Sequence, residues 1–143
     1  MEPIYLDYNA TTPIDPDVAS EMKMYIDEIF GNPSSIHPFG IRARQAVELA
    51  RKRLAALLNC HPDEIVFTSG GTESNNYAIK GAAFANRHKG NHIITSAIEH
   101  PSVIEVCRYL EKQGFRVSYA EVDPYGMTDP DKISDLITPD TIL

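Results

Sequence analysis

Two stretches of this sequence carry side chains suited to holding and processing a small anionic ligand. The first is Thr68-Ser69-Gly70-Gly71-Thr72-Glu73-Ser74-Asn75-Asn76. Its paired glycines let the backbone turn tightly and approach a ligand, and Thr72 offers a hydroxyl. A helix opening at Thr72 would leave its first N–H groups without intrahelical acceptors, at the positive end of the helix dipole, which suits a phosphate. The stretch has neither the Gly-Lys-Ser/Thr of a nucleoside-triphosphate loop nor the glycine spacing of the dinucleotide fingerprint, and both ligands are disfavoured. The plainer reading is a turn capped by Thr72, with Glu73 complementing the dipole. The second stretch is Ala97-Ile98-Glu99-His100-Pro101. An imidazole that ordinarily titrates at ~6.5 is able to stack on a planar ligand or move protons near neutral pH. The plainer reading makes His100 a solvated or N-capping residue and Glu99 a surface acid.

The elements that must position these residues follow from periodicity and punctuation. Ile4–Tyr8 reads as an extended arm that reaches the polar turn Asn9–Pro13. Asp15-Pro16 supplies an N-cap and a first-turn proline, and Val18, Met22, Tyr25, Ile26 and Ile29 then recur at helical spacing to about Phe30. After the break Gly31–Ser35, a long helix from about Pro38 carries Ala43, Ala46, Val47, Ala50, Leu54, Leu57 and Leu58 on one stripe. Its other face, Arg42 to Arg53, is basic, and such a run is usually solvated. Ile65-Val66-Phe67-Thr68 reads as a buried strand. Then come a helix Thr72 to about Arg87, a strand His92–Ser96, a helix Pro101–Gln113, a strand Arg116–Val122 and a short helix Asp129–Ile137. This alternation predicts an α/β fold with a mainly parallel sheet and flanking helices. Thr141-Ile142-Leu143 reads as the opening of one more strand, so the chain is expected to be part of a larger domain. In such folds ligands bind outside the carboxyl ends of strands, where both candidate stretches fall.

Composition narrows the function classes. The 143 residues, 43% hydrophobic and 23% charged, suit a globular chain and disfavour disorder. With 13 Lys plus Arg against 20 Asp plus Glu, the net charge of −7 disfavours nucleic acid and anionic lipid as partners. No apolar run approaches the ~20 residues of a membrane helix, and the first residues do not resemble a signal peptide. Cys60 and Cys107 are too few for a disulfide framework or a four-thiolate metal site and fit the cytosol. Cys107 shares an apolar stripe with Val103, Val106 and Leu110 and reads as core. Cys60 beside His61 reads as an exposed loop.

Four segments in order resemble the opening of the cysteine desulfurases, members of the class V aminotransferase-like group. They are Tyr5–Pro13, Gly31-Asn32-Pro33-Ser34-Ser35 with His37, Thr68–Asn76, and Glu99-His100. The resemblance implies the large domain of a fold-type-I enzyme that uses pyridoxal 5′-phosphate, with residues 1–15 an arm belonging to the small domain and 16–143 the first part of the cofactor domain. It implies that Gly71 and Thr72 hold the cofactor phosphate and that His100 stacks on the pyridine ring and helps transfer protons. It further implies L-cysteine as substrate, alanine and an enzyme persulfide as products, a homodimer, and a sulfur-acceptor or scaffold protein serving iron–sulfur cluster or thio-cofactor assembly. Selenocysteine lyases and other class V enzymes share much of the pattern, and a non-catalytic phosphate-binding module is the remaining alternative.

The resemblance also implies that the Schiff-base lysine, the aspartate facing the pyridine nitrogen, the substrate-carboxylate arginine and the persulfide cysteine lie beyond Leu143. His88-Lys89 imitates the Schiff-base dipeptide but falls at a helix end, where Lys89 suits the dipole. The 143-residue chain by itself is therefore expected to be inactive.

Overall fold

The computed structural model describes residues 3–143, which divide into two compact units, one ending at Val66 and the other running from Phe67 to Leu143. In the first unit the arm is irregular up to Asp7 and then turns, with Ala10 N–H donating to Asp7 C=O at 3.1 Å. Helix α1 spans Pro16–Asp27 and is capped by Asp15, whose carboxylate accepts from Asp17 N–H at 2.9 Å. It ends three residues before the sequence periodicity does. Helix α2 spans Pro38–Leu58, starts at the N-cap His37, and stops at Asn59, which adopts the left-handed conformation (φ 54°) that terminates helices. The loop before α2 is tightly folded: a Cβ on Gly31 would lie 2.3 Å from Phe39 C=O. A 3-10 turn, Pro62–Glu64, follows, capped by His61.

The segment 65–68 forms no strand, contrary to the sequence expectation. Its β-branched residues favour extended backbone, but a strand exists only as part of a ladder, and among the described residues 65–68 is in none. The Ile65 carbonyl instead accepts from the Arg51 guanidinium.

The second unit holds the sheet. Helix α3 spans Gly71–Asn86, strand β1 His92–Ser96, helix α4 Pro101–Lys112, strand β2 Arg116–Ala120 and helix α5 Pro130–Leu136. Strands β1 and β2 are parallel, in register from His92 opposite Arg116 to Ser96 opposite Ala120, and α4 makes the crossover. β2 stops at Ala120 because the chain turns at Asp123, whose carboxylate accepts from Tyr125 and Met127 N–H, and Gly126 takes a positive φ of 81°. On the other side of β1, Thr141 bridges His92 in parallel, and Ile94 N–H donates to Leu143 C=O at 2.9 Å. The strand opening read at residues 141–143 thus pairs with β1.

The core of this unit is Ala83, Ile93, Val106, Leu110 and Phe115, with Ile79, Val117 and Ile142 packed against it. It joins the apolar stripes of α3 and α4 to one face of the sheet. Burying residues such as Ile93 and Leu110 contributes about 1.5–3 kcal/mol each. His92 lies among them, 1% exposed, its ring bonded to Thr141 Oγ1 at 2.7 Å and Ser118 Oγ at 2.8 Å. Both ring nitrogens are paired, which is what a polar group needs in such a place. Burial and the Arg116 charge hold this imidazole below its ordinary value, with Asp140 opposing them.

Candidate functional site

The site is built on the amino-terminal ends of α3 and α4. Gly70 is the N-cap of α3, with extended backbone and no side-chain cap. Thr72 is therefore the second residue of the helix and not its cap, unlike the plainer sequence reading. The first intrahelical bond runs from Ser74 N–H to Gly70 C=O at 3.0 Å, and the amides of Gly71, Thr72 and Glu73 find no acceptor among the described residues. A Cβ on Gly70 or Gly71 would meet nothing within 4 Å. These glycines do not relieve a packing clash, as Gly31 does; they leave the ground in front of three free N–H groups open to a ligand. That combination fits a phosphate.

Neighbouring side chains brace the turn. Ser74 Oγ and Thr68 Oγ1 lie 2.7 Å apart, and Ser69 donates both its N–H and its hydroxyl to the Glu73 carboxylate at 2.7 Å. The Ser69 amide first, and its hydroxyl second, hold the Glu73 carboxyl below its usual range. Glu73 is thus charged at neutral pH and opposes an incoming anion, while the two donors from Ser69 offset part of that charge.

His100 is the N-cap of α4, and Nδ1 accepts from Ser102 N–H at 3.1 Å. The capping role weighed from the sequence is present, and it leaves Nε2 uncommitted. Thr72 and His100 line one cleft of about 400 Å³ within the second unit, together with Asn76, Lys80, Ser102 and Tyr109. The cleft therefore brings together a hydroxyl next to free helix amides and an imidazole from the neighbouring crossover. Gly71 immediately precedes Thr72 on the chain. Lys80, whose Nζ sits 4.5 Å from the centre of the Tyr109 ring, adds positive charge to the wall. The sequence reading included Asn76 in its first stretch without giving it a role, and it did not single out Lys80 or Tyr109. The spacing Thr72, Asn76, Lys80, one residue per helical turn from a helix start already recognised, was the available signal.

The sequence pattern of the class-V aminotransferases matches residues 4–143. The chain belongs to that family. Cysteine desulfurase IscS from Dictyoglomus turgidum is 54% identical over 98% of this class-V chain and 36% of its own length. Cysteine desulfurase IscS from Methanosarcina thermophila is also 54% identical, over 98% of this chain and 35% of its own. A solved NifS-like protein superposes with a TM-score of 0.88 at 40% identity, over 96% of this chain and 38% of that one. SspA, solved in complex with cysteine, gives 0.84 at 41% identity, over 96% of this chain and 40% of its own. The class-V chain spans about a third of the length of the curated relatives it matches.

Other residues weighed from the sequence are not among those that line the cleft. Lys89 follows α3 and donates to Asn86 Oδ1 at 3.0 Å. Cys107 is 1% exposed in α4, and burial pushes its thiol up, which makes it a poor nucleophile. His61 is occupied in capping the 3-10 turn, and no cluster of three or more metal-ligating side chains occurs among the described residues. No helix among them is long and apolar enough to cross a membrane.

Proposed function

We propose that this chain supplies the cofactor-phosphate anchor and the ring-facing histidine of a pyridoxal 5′-phosphate-dependent cysteine desulfurase. In that reading the full-length protein takes sulfur from L-cysteine and yields alanine and an enzyme-bound persulfide. The observation that carries it is the single cleft shared by Thr72 and His100, beside three unpaired helix amides and two glycines with open space in front of them. The family membership and the names of the relatives give the chemistry its direction.

When bound, the cofactor supplies an electron sink for carbanion chemistry at the substrate. The chain's own contributions are binding, orientation and proton handling. The amides of Gly71, Thr72 and Glu73 and the Thr72 hydroxyl donate to the phosphate, and the α3 dipole favours its charge. Lys80 raises the local positive potential. His100 covers the ring and carries its exchangeable proton on Nε2, because Nδ1 is committed to the start of α4. Residues 1–15 act as an arm of the small domain. The protein works as a homodimer in the cytoplasm and passes sulfur to an acceptor or scaffold protein for iron–sulfur cluster assembly.

The test uses the purified full-length protein. Thr72→Ala is expected to lose bound pyridoxal phosphate on gel filtration, while His100→Gln retains it and forms alanine from L-cysteine ~10²-fold more slowly. Undiminished cofactor retention and alanine formation in both variants would contradict the reading.

A further inference from the structure

Around His100 the structure holds a three-residue relay that the proposed function does not by itself require. Asn75, in the second turn of α3, donates from Nδ2 to Ser102 Oγ at 2.8 Å. Ser102 Oγ lies 2.8 Å from His100 Nδ1, and Ser102 N–H donates to the same Nδ1 at 3.1 Å. The direction of every bond then follows from chemistry. A backbone N–H is only a donor, so Nδ1 must present its lone pair. The Ser102 oxygen accepts from Asn75 and its own O–H is free to donate, and Nδ1 is the acceptor within reach. With two donors on Nδ1, the neutral ring carries its proton on Nε2.

We propose that Asn75 and Ser102 are positioning residues that lock His100 as the Nε2–H tautomer and fix the plane of its ring at the cleft wall. This rests on the functional reading only for what Nε2 acts upon; the lock itself is a property of the chain. It makes Nε2 the one ring atom through which His100 exchanges a proton, and it couples the histidine to α3, the same helix whose first turn offers its amides to phosphate. A histidine that merely capped α4 would need the Ser102 amide alone, with no link to Asn75.

The experiment is ¹⁵N-histidine NMR of the full-length protein, at a pH where the ring is neutral, with the His100 signals assigned by their loss in His100→Gln. The proposal expects a protonated Nε2 and a bare Nδ1. Asn75→Asp keeps the side chain's shape and reverses its role: the carboxylate accepts from the Ser102 hydroxyl, Ser102 Oγ then turns its lone pair to the ring, and the Nδ1–H form gains population. Ser102→Ala raises the same form through loss of one donor, and Ser102→Thr, which keeps the hydroxyl, restores the wild-type pattern. A wild-type ring protonated on Nδ1, or tautomer populations identical in wild type, Asn75→Asp and Ser102→Ala, would overturn it. Because these signals are read without added pyridoxal phosphate, failure of the lock is distinguishable from failure of the functional reading. The latter appears as His100 signals that do not move when the cofactor is added, while the tautomer pattern stands.

Discussion

His92 Nε2 and Ser118 Oγ meet at 2.8 Å inside the second unit, so a single imidazole ties β1 to β2 while its other nitrogen holds Thr141. A buried polar contact of this kind has a pH signature. Burial holds the ring below its ordinary value of 6.5, so the unfolded chain takes up a proton more readily than the folded one. The contribution is fully present above pH 6.5 and is lost as pH falls below it toward the depressed folded value. Amide hydrogen exchange of β1, measured at pH 7.5 and 5.5 and corrected for the intrinsic rate, should show weakened protection at the lower pH. His92→Ala should lower protection at both and abolish the difference, at a cost on the order of 1–3 kcal/mol from the unpaired hydroxyls.

Gly90 and Gly81 make opposite predictions from the same substitution. A Cβ on Gly90 would sit 2.2 Å from Asp140 C=O, a backbone atom in the segment whose carbonyl accepts from His92 N–H. Gly90→Ala should therefore destabilise by about 1–3 kcal/mol, through displacement of that segment. A Cβ on Gly81, inside α3, meets nothing within 4 Å. Gly81→Ala should stabilise by about 0.5–1 kcal/mol, through helix propensity alone. Denaturant midpoints of the two variants, taken against wild type, check both signs.

Most helices were legible because their starts are written locally. Asp15-Pro16, His37-Pro38, His100-Pro101 and Asp129-Pro130 each place a capping side chain before a proline with a preset φ, and each begins a helix. Strand β1 was legible because Gly90-Asn91 and the loop at 97–100 bracket the β-branched run Ile93-Ile94-Thr95. Residues 65–68 were misread because β-propensity records a preference for extended backbone and carries no information about a partner strand. At the site, Gly71, Thr72 and His100 were legible from residue type and neighbours. The Asn75–Ser102 bond was not, since it spans 27 residues and exists only once α3 packs on α4.

Thr72 contributes to the cleft through a hydroxyl that no part of the fold described here uses. Thr72→Ala should leave circular dichroism unchanged and weaken pyridoxal phosphate affinity ~10- to 100-fold, the scale of one hydrogen bond to a charged acceptor. Thr72→Ser, which keeps the hydroxyl, should stay within about threefold of wild type, on the same hydrogen-bond arithmetic. Absorbance titration with the cofactor measures both.

Leu110 is fully buried at the junction of α3, α4 and the sheet. Leu110→Ala should cost about 2–5 kcal/mol. Since the cleft is lined by residues of the same two helices, the loss should appear both in the unfolding midpoint and as weaker cofactor retention. Asp135→Asn, on an exposed position of α5 that does not line the cleft, should change neither by more than about 0.5 kcal/mol.

Phosphate binding by this chain depends on the three unpaired amides at the start of α3, and hydrogen exchange read by mass spectrometry reaches them directly. In the full-length protein, addition of pyridoxal phosphate should slow exchange in the peptide spanning residues 69–76, and pyridoxal without its phosphate should not. Unchanged exchange in that peptide, with protection by the cofactor appearing elsewhere in the protein, would contradict the account.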